Sequence, residues 1–161
     1  RIVLLAVWAG LIVFGRARGR WVALLLVLTV AVSDQLCASV IKPFAGRLRP
    51  CEVLGGVHFW SDTEGWMTTP AQLARSYKSS FSFPSNHASN MTAAMLLLGL
   101  VYRKGLPWFL LVAGAVSYSR IYVGVHWPLD VAAGIATGAT LATLAYLVHR
   151  RIGRRRWRTT E

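Results

Sequence analysis

Long apolar runs constrain this chain more than any other feature. Residues 2–15 carry no charge, residues 21–41 form a second run, and three more occupy 86–102, 106–122 and 128–148. A bilayer core needs roughly 20 residues of predominantly apolar helix, and a chain built largely of such runs has little left from which to make a water-facing surface. Composition agrees where it bears on this point. With 55% hydrophobic and only 15% charged residues, and a mean hydropathy of +0.46, the chain stands apart from soluble domains. Its net charge of +12 would by itself fit a nucleic-acid binder, but the runs point to a membrane. The expected fold is all-α: one membrane-embedded domain over 1–161, a polytopic bundle with five visible spanning helices.

Charge placement orients the bundle. If the helices alternate, Arg16, Arg18 and Arg20, then Arg103 and Lys104, then the six arginines of the tail over 149–161 share one side, 11 of the 18 Lys and Arg residues. The positive-inside rule makes that side, and so the basic tail, cytoplasmic. The tail would also attract anionic lipid; nucleic-acid binding has too little folded context to compete. Apolar sequence begins at once after Arg1, so a segment is expected to precede it, and no charged region and cleavage site frame a signal peptide.

The remaining unusual residues fall on the opposite face. Lys42-Pro43-Phe44-Ala45-Gly46-Arg47-Leu48-Arg49-Pro50 closes the second run, and Pro84-Ser85-Asn86-His87 opens the third. Ser119-Arg120, His126 and Asp130 lie between the last two. Pro128 suits the first turn of a helix, which puts Asp130 in an N-terminal turn with His126 just before it. A carboxylate there can hold one imidazole nitrogen and leave the other free to attack or to move a proton. Alone, the pair is equally a buried structural hydrogen bond. Cations beside helix N-termini, however, make a site for a multiply charged anion, which phosphate fits best. Two histidines then divide the work between nucleophile and acid. No cluster of acids and histidines has metal-site spacing, so no metal or other cofactor is expected and the cations carry the charge stabilisation.

These three stretches resemble the signature of the type 2 phosphatidic acid phosphatases, which share their site with the vanadium haloperoxidases. The signature is a lysine, six residues, then Arg-Pro; Pro-Ser-Gly-His; and Ser-Arg, five residues, His, three residues, Asp. The match runs from Lys42 to Asp130 with order and spacing intact. The resemblance implies six spanning helices, the first missing here, and metal-independent hydrolysis of a lipid phosphate or diphosphate through a phosphohistidine. Polyprenyl diphosphate, phosphatidylglycerophosphate, phosphatidate and a lipid A phosphate all fit. It implies that His126 attacks phosphorus with Asp130 orienting it, and that His87 protonates the leaving oxygen and then activates water. Lys42, Arg49, Ser85 and Arg120 would bind phosphate oxygens, with the backbone N–H of Asn86. The family has glycine at that last position, and Asn tolerates unusual backbone angles better than most residues. Compact size and arginine-rich loops indicate a bacterial inner-membrane protein with its site facing the periplasm or exterior. Two rivals are a soluble-type vanadate site and a non-catalytic transporter or scaffold whose His-Asp pair relays protons. The spanning runs oppose the first and the phosphate cage opposes the second.

Other residues have plainer readings. Arg47 is expected at the rim or on a lipid headgroup. Arg75 and Lys78 are expected on the solvated face of a short helix over 70–77, which Thr69-Pro70-Ala71-Gln72 would cap. His58 and His149 are expected at the surface, and Cys37 and Cys51 as free thiols with Cys37 buried. Trp60, Trp66 and Tyr77 suit either the headgroup level or loop packing. Asp34, an acid inside the second run, needs a partner or a cavity; a packing hydrogen bond between helices serves as well as a functional role.

Overall fold

The computed structural model describes residues 2–71 and 80–156. Helix α1 (Ile2–Val13) leads into α2 (Ala17–Gln35), which does not stop at Gln35. It widens into a π-type stretch over Leu36–Ile41 and continues as one further turn, α3 (Lys42–Ala45). Gly46 ends this path with φ +57° and an N–H bond to the Lys42 carbonyl at 3.0 Å, the left-handed stop that glycine makes without a Cβ penalty. The short α4 (Pro50–Val53) begins next, with Arg49 as N-cap, Pro50 in its first turn and the Glu52 carboxylate accepting the Arg49 N–H at 3.1 Å. The Arg-Pro pair is thus a helix start as well as a motif.

A two-stranded antiparallel hairpin follows, β1 (His58–Ser61) against β2 (Gly65–Thr68), with Trp60 opposite Trp66. This short hairpin is an addition that the all-α expectation lacked, in a fold that is otherwise mostly helical. Strands of four residues are too short to show an alternating pattern, so the segment reads as polar loop; Gly65, at φ +76°, closes the turn. The helix expected over 70–77, with Arg75, Tyr77 and Lys78, lies outside the described residues apart from its first two positions. The Thr69 hydroxyl accepts from the Val57 N–H at 2.9 Å and donates to the Leu54 carbonyl at 2.7 Å.

The chain then returns through α5 (Asn86–Val101), a 3-10 turn at Arg103–Gly105, α6 (Leu106–Tyr122) and α7 (Pro128–Arg156). Helix α5 is the centre, packed against α2, α6 and α7. Val22, Leu25 and Leu26 of α2, Ala94, Met95, Leu97 and Leu98 of α5, Ala113 of α6 and Ala142 of α7 form the core. Gly134 and Gly138 let α7 approach closely: a Cβ at Gly138 would stand 2.2 Å from the Ser89 carbonyl oxygen, and one at Gly134 would stand 2.6 Å from that of Ser85. Polar side chains in this interior bond locally or across helices, as Ser33 Oγ does to Ser89 Oγ at 2.7 Å. Meanwhile Leu24, Val27 and Leu28 on α2, Trp108 and Leu111 on α6, and Leu144 and Leu147 on α7 face outward. A bundle in water does not expose apolar area on this scale. Among the described residues two stretches, Ala17–Val53 and Pro128–Ile152, are by length and composition able to cross a membrane. Helices α1, α5 and α6 are shorter, with 12, 16 and 17 residues.

Candidate active site

Helix starts position the site. Helix α7 begins at Pro128, and Asp130 in its first turn reaches back to accept the Trp127 N–H at 2.9 Å, the same device that Glu52 provides at α4. Helix α5 begins after Ser85, a buried N-cap whose hydroxyl accepts from the Ala88 N–H and whose own N–H bonds to the Asp130 carbonyl at 2.9 Å. That bond ties the second motif to the third. Arg49 ties the first to the third: its Nη1 donates to the Val125 carbonyl at 2.9 Å and lies 3.2 Å from His126 Nε2.

Both motif cations of the first stretch are buried, and backbone carbonyls of one segment hold them. Lys42 Nζ donates to the Phe81 carbonyl at 2.6 Å, and Arg49 donates to the Ser80 carbonyl through Nε at 3.0 Å and to Ser80 Oγ through Nη2 at 3.1 Å. Arg120, half-buried at the end of α6, is held by Ser119 Oγ through Nε (3.1 Å) and Nη2 (3.0 Å). The hairpin-turn carboxylate of Asp62 acts electrostatically on both Arg49 and Arg120, so the two arginines share one neighbourhood. His87 is exposed at the second position of α5, and its charge reaches His126.

His126 is only 5% exposed. Burial lowers its pKa to about 3, and Arg49, Lys42 and His87 add repulsion against a further positive charge, opposed in part by a hydrogen bond that the ring donates to the Ser82 backbone. The ring is therefore neutral at physiological pH. An arginine has no lone pair to offer, so Nε2 must be the acceptor towards Arg49 and the hydrogen must sit on Nδ1. Nδ1 faces Asp130 Oδ2 at 3.6 Å and Ser82 Oγ at 3.3 Å.

Two residues belong to this cluster that the motif does not contain. Ser82, fully buried, donates its hydroxyl to Asp130 Oδ2 at 2.5 Å. Arg47 Nη1 pairs with Asp130 Oδ1 at 3.2 Å and lies over Trp127 with its side chain 37% exposed, a rim position that is also tied to the buried acid. Asn86 needs no tolerance for unusual angles, because among the described residues no non-glycine has positive φ. Its amide instead donates to Asp34 at 3.0 Å, beside Asn90 at 2.8 Å, so Asp34 finds its partners between helices. His149 is buried, not superficial: α7 runs past the residue at which its apolar pattern ends, and Tyr146 stacks on the ring. Cys37 and Cys51 are both buried.

The profile of the PAP2 superfamily matches residues 20–154. The chain belongs to that superfamily. Among its PAP2 relatives, lipid A 4'-phosphatase of Bacteroides thetaiotaomicron is 31% identical over 126 residues, 76% of this chain and 52% of that protein. Decaprenylphosphoryl-5-phosphoribose phosphatase of Mycobacterium tuberculosis is 36% identical over 135 residues, 84% of this chain and 64% of that one. This PAP2 chain thus spans between half and two thirds of those relatives. A solved PAP2 structure, the transmembrane phosphatidylglycerolphosphate phosphatase of Bacillus subtilis, superposes with a TM-score of 0.64 at 26% identity, covering 94% of this chain and 69% of that one.

Proposed function

We propose that this protein is an integral membrane phosphatase that hydrolyses a lipid phosphate or diphosphate through a phosphohistidine on His126. The observation that carries the reading is the buried, neutral imidazole whose Nε2 lone pair points at Arg49. When a phosphate binds, its oxygens compete for the guanidinium hydrogens of Arg49. Loss of that donor leaves Nε2 facing phosphorus as a nucleophile. Lys42, Arg49 and Arg120 then hold the equatorial oxygens where negative charge accumulates, and Ser85 and the N-terminus of α5, starting at Asn86, add neutral donors. His87 protonates the departing oxygen and later takes a proton from the water that hydrolyses the phosphohistidine.

A lipid substrate fits the surroundings. An open groove of about 550 Å³ runs between α1, α2 and α5, with apolar walls from Trp8, Leu26, Val27, Val30, Ala31 and Ala94. Its polar end is Asp34 and Asn90, and Asp34 bonds Asn86 beside the phosphate cage. An acyl or prenyl tail laid there would have its head towards Asn86 at the start of α5. The outward apolar faces of α2, α6 and α7 suit a bilayer, and the reading of five spans with the cage on the extracytoplasmic side rests on the apolar runs and the charge asymmetry of the sequence. The relatives named above act on lipid A, on decaprenylphosphoryl-5-phosphoribose and on phosphatidylglycerolphosphate, as their names state, and all three classes belong in the first substrate panel.

Purified protein given these lipids in the presence of a chelator is expected to release phosphate. His126→Ala and His87→Ala should lower kcat by about 10²-fold or more. Release that survives in His126→Ala, or that appears only with added metal, would overturn the mechanism.

A further inference from the structure

Asp34 lies in the last turn of α2, and its two carboxylate oxygens are used differently. Oδ1 accepts from Asn86 Nδ2 at 3.0 Å and from Asn90 Nδ2 at 2.8 Å. Oδ2 takes no hydrogen bond from a described residue. The two asparagines stand one turn apart on α5, and an amide that gives its NH2 to a carboxylate turns its carbonyl oxygen away. Both of those carbonyl oxygens are buried without a hydrogen-bond partner among the described residues, which is uncommon in folded proteins. The uncommitted atoms of this cluster are therefore all acceptors: one carboxylate oxygen and two amide oxygens.

Its place limits what the cluster can meet. Asp34 and Asn90 form the polar end of the groove between α1, α2 and α5, whose other walls are apolar. Asn86 is flanked in the chain by Ser85 and His87 of the phosphate cage, and the charge of Asp34 acts on Lys42. The acceptors thus adjoin both the groove that they line and the start of α5, where the cage begins. A phosphate oxygen is itself an acceptor and is repelled by a carboxylate, so the phosphate goes to the cations instead. An acyl or prenyl chain has no hydrogen to donate. A hydroxyl has one.

We propose, resting on the lipid phosphatase reading above, that Asp34 with Asn86 and Asn90 forms a subsite for hydroxyl groups on a spacer between the lipid chain and the scissile phosphate. The preferred substrate class is then a lipid whose phosphate sits on a sugar or glycerol unit. A phosphate carried directly on the end of an acyl or prenyl chain is the poorer substrate. A spacer hydroxyl donates to Asp34 Oδ2, while the two amide bonds on Oδ1 hold the carboxylate in one orientation. A spacer with more than one hydroxyl also supplies donors for the amide oxygens.

The test uses the full chain in detergent with chelator present and two probes that share one chain and one phosphate monoester. These are tetradecyl phosphate and a tetradecyl glucoside that bears its phosphate on the primary hydroxyl. Wild type is expected to favour the glucoside phosphate in kcat/KM by about tenfold or more, as a hydrogen bond to a charged group allows. Asp34→Asn keeps an oxygen for both asparagine amides and puts an NH2, a donor, in place of Oδ2. The ratio between the two probes should then fall by about tenfold. Asn90→Ala, which removes one amide oxygen and one support of the acid, should lower that ratio by a smaller factor. A wild type without the preference overturns the proposal. So does an unchanged ratio in Asp34→Asn, which would leave the acid as a structural bond between α2 and α5. A preference that appears only with added calcium or magnesium overturns it too, since the oxygens would then hold a cation. Failure of the phosphatase reading looks different: wild type then releases phosphate from neither probe, or His126→Ala keeps its activity on both.

Discussion

His126 shows how a single residue is tuned by what surrounds it. Burial and the cations Arg49 and Lys42 hold its pKa near 3, against about 6.5 in an unfolded chain. Between those values the unfolded state binds the extra proton and the folded state does not. Stability from this group is therefore complete above about pH 6.5 and is lost as pH falls towards about 3, by up to one proton's worth of slope. Melting curves taken from pH 7 to pH 4 should show a shallower acid loss for His126→Gln than for the wild type. An equal slope in both would mean that the histidine takes up its proton within the folded protein. The same low pKa means that an acid limb near neutrality in the kcat/KM profile, which reports the free enzyme, arises from another group or from the substrate. Neighbouring residues differ in how far sequence exposed them. Lys42, Arg49, His87, Arg120, His126 and Asp130 stand at motif spacing, whereas Ser82 and Arg47 are one serine and one arginine in segments full of them. Only their distances to Asp130 single them out.

At the scale of elements, the site depends on helix ends brought together by close helix packing. Two of those ends use one device, a proline in the first turn and an acid reaching back to the N-cap N–H: Arg49-Pro50-Cys51-Glu52 and Trp127-Pro128-Leu129-Asp130. Asp130 thus has a structural duty at α7 besides its place near His126. Helix α7 can sit against α5 because Gly134 and Gly138 present no side chain to the Ser85 and Ser89 carbonyls, the small-residue contact common between membrane helices. Gly138→Ala is expected to cost about 1–3 kcal/mol by forcing the helices apart and to lower activity by straining the Ser85 to Asp130 link. Gly114→Ala on α6, where a Cβ meets nothing within 4 Å, is the control. Equal melting temperatures for the two variants in detergent would show that α5 and α7 have room to spare. Gly124 plays a similar part for the hairpin, with φ +68° and a Cβ position 2.4 Å from the His58 carbonyl.

The whole molecule has a polar site at one end of an apolar bundle, and the Trp8 to Ala94 groove along α1, α2 and α5 carries at its polar end Asp34, the partner of Asn86. If that groove takes the lipid tail, Ala31→Trp should raise KM by about tenfold for a long-chain lipid phosphate while leaving a short-chain, water-soluble phosphate ester unaffected. Equal effects on both substrates would place the tail elsewhere. A selective loss would show that the cage recognises phosphate and the groove recognises the chain.

Sequence alone determined the apolar helices, their charge asymmetry and the spacing of six site residues, because each of these is a local pattern read along the chain. The hairpin was not legible, being two four-residue strands joined by a turn, nor was the length of α7 beyond its apolar stretch. Tertiary structure alone decided that Ser82 bonds Asp130 beside the ring, that Arg47 pairs with Asp130 and that Asp34 holds Asn86. Each of these contacts joins residues from 48 to 83 positions apart, and no periodicity or spacing encodes the direction in which a folded backbone aims a side chain.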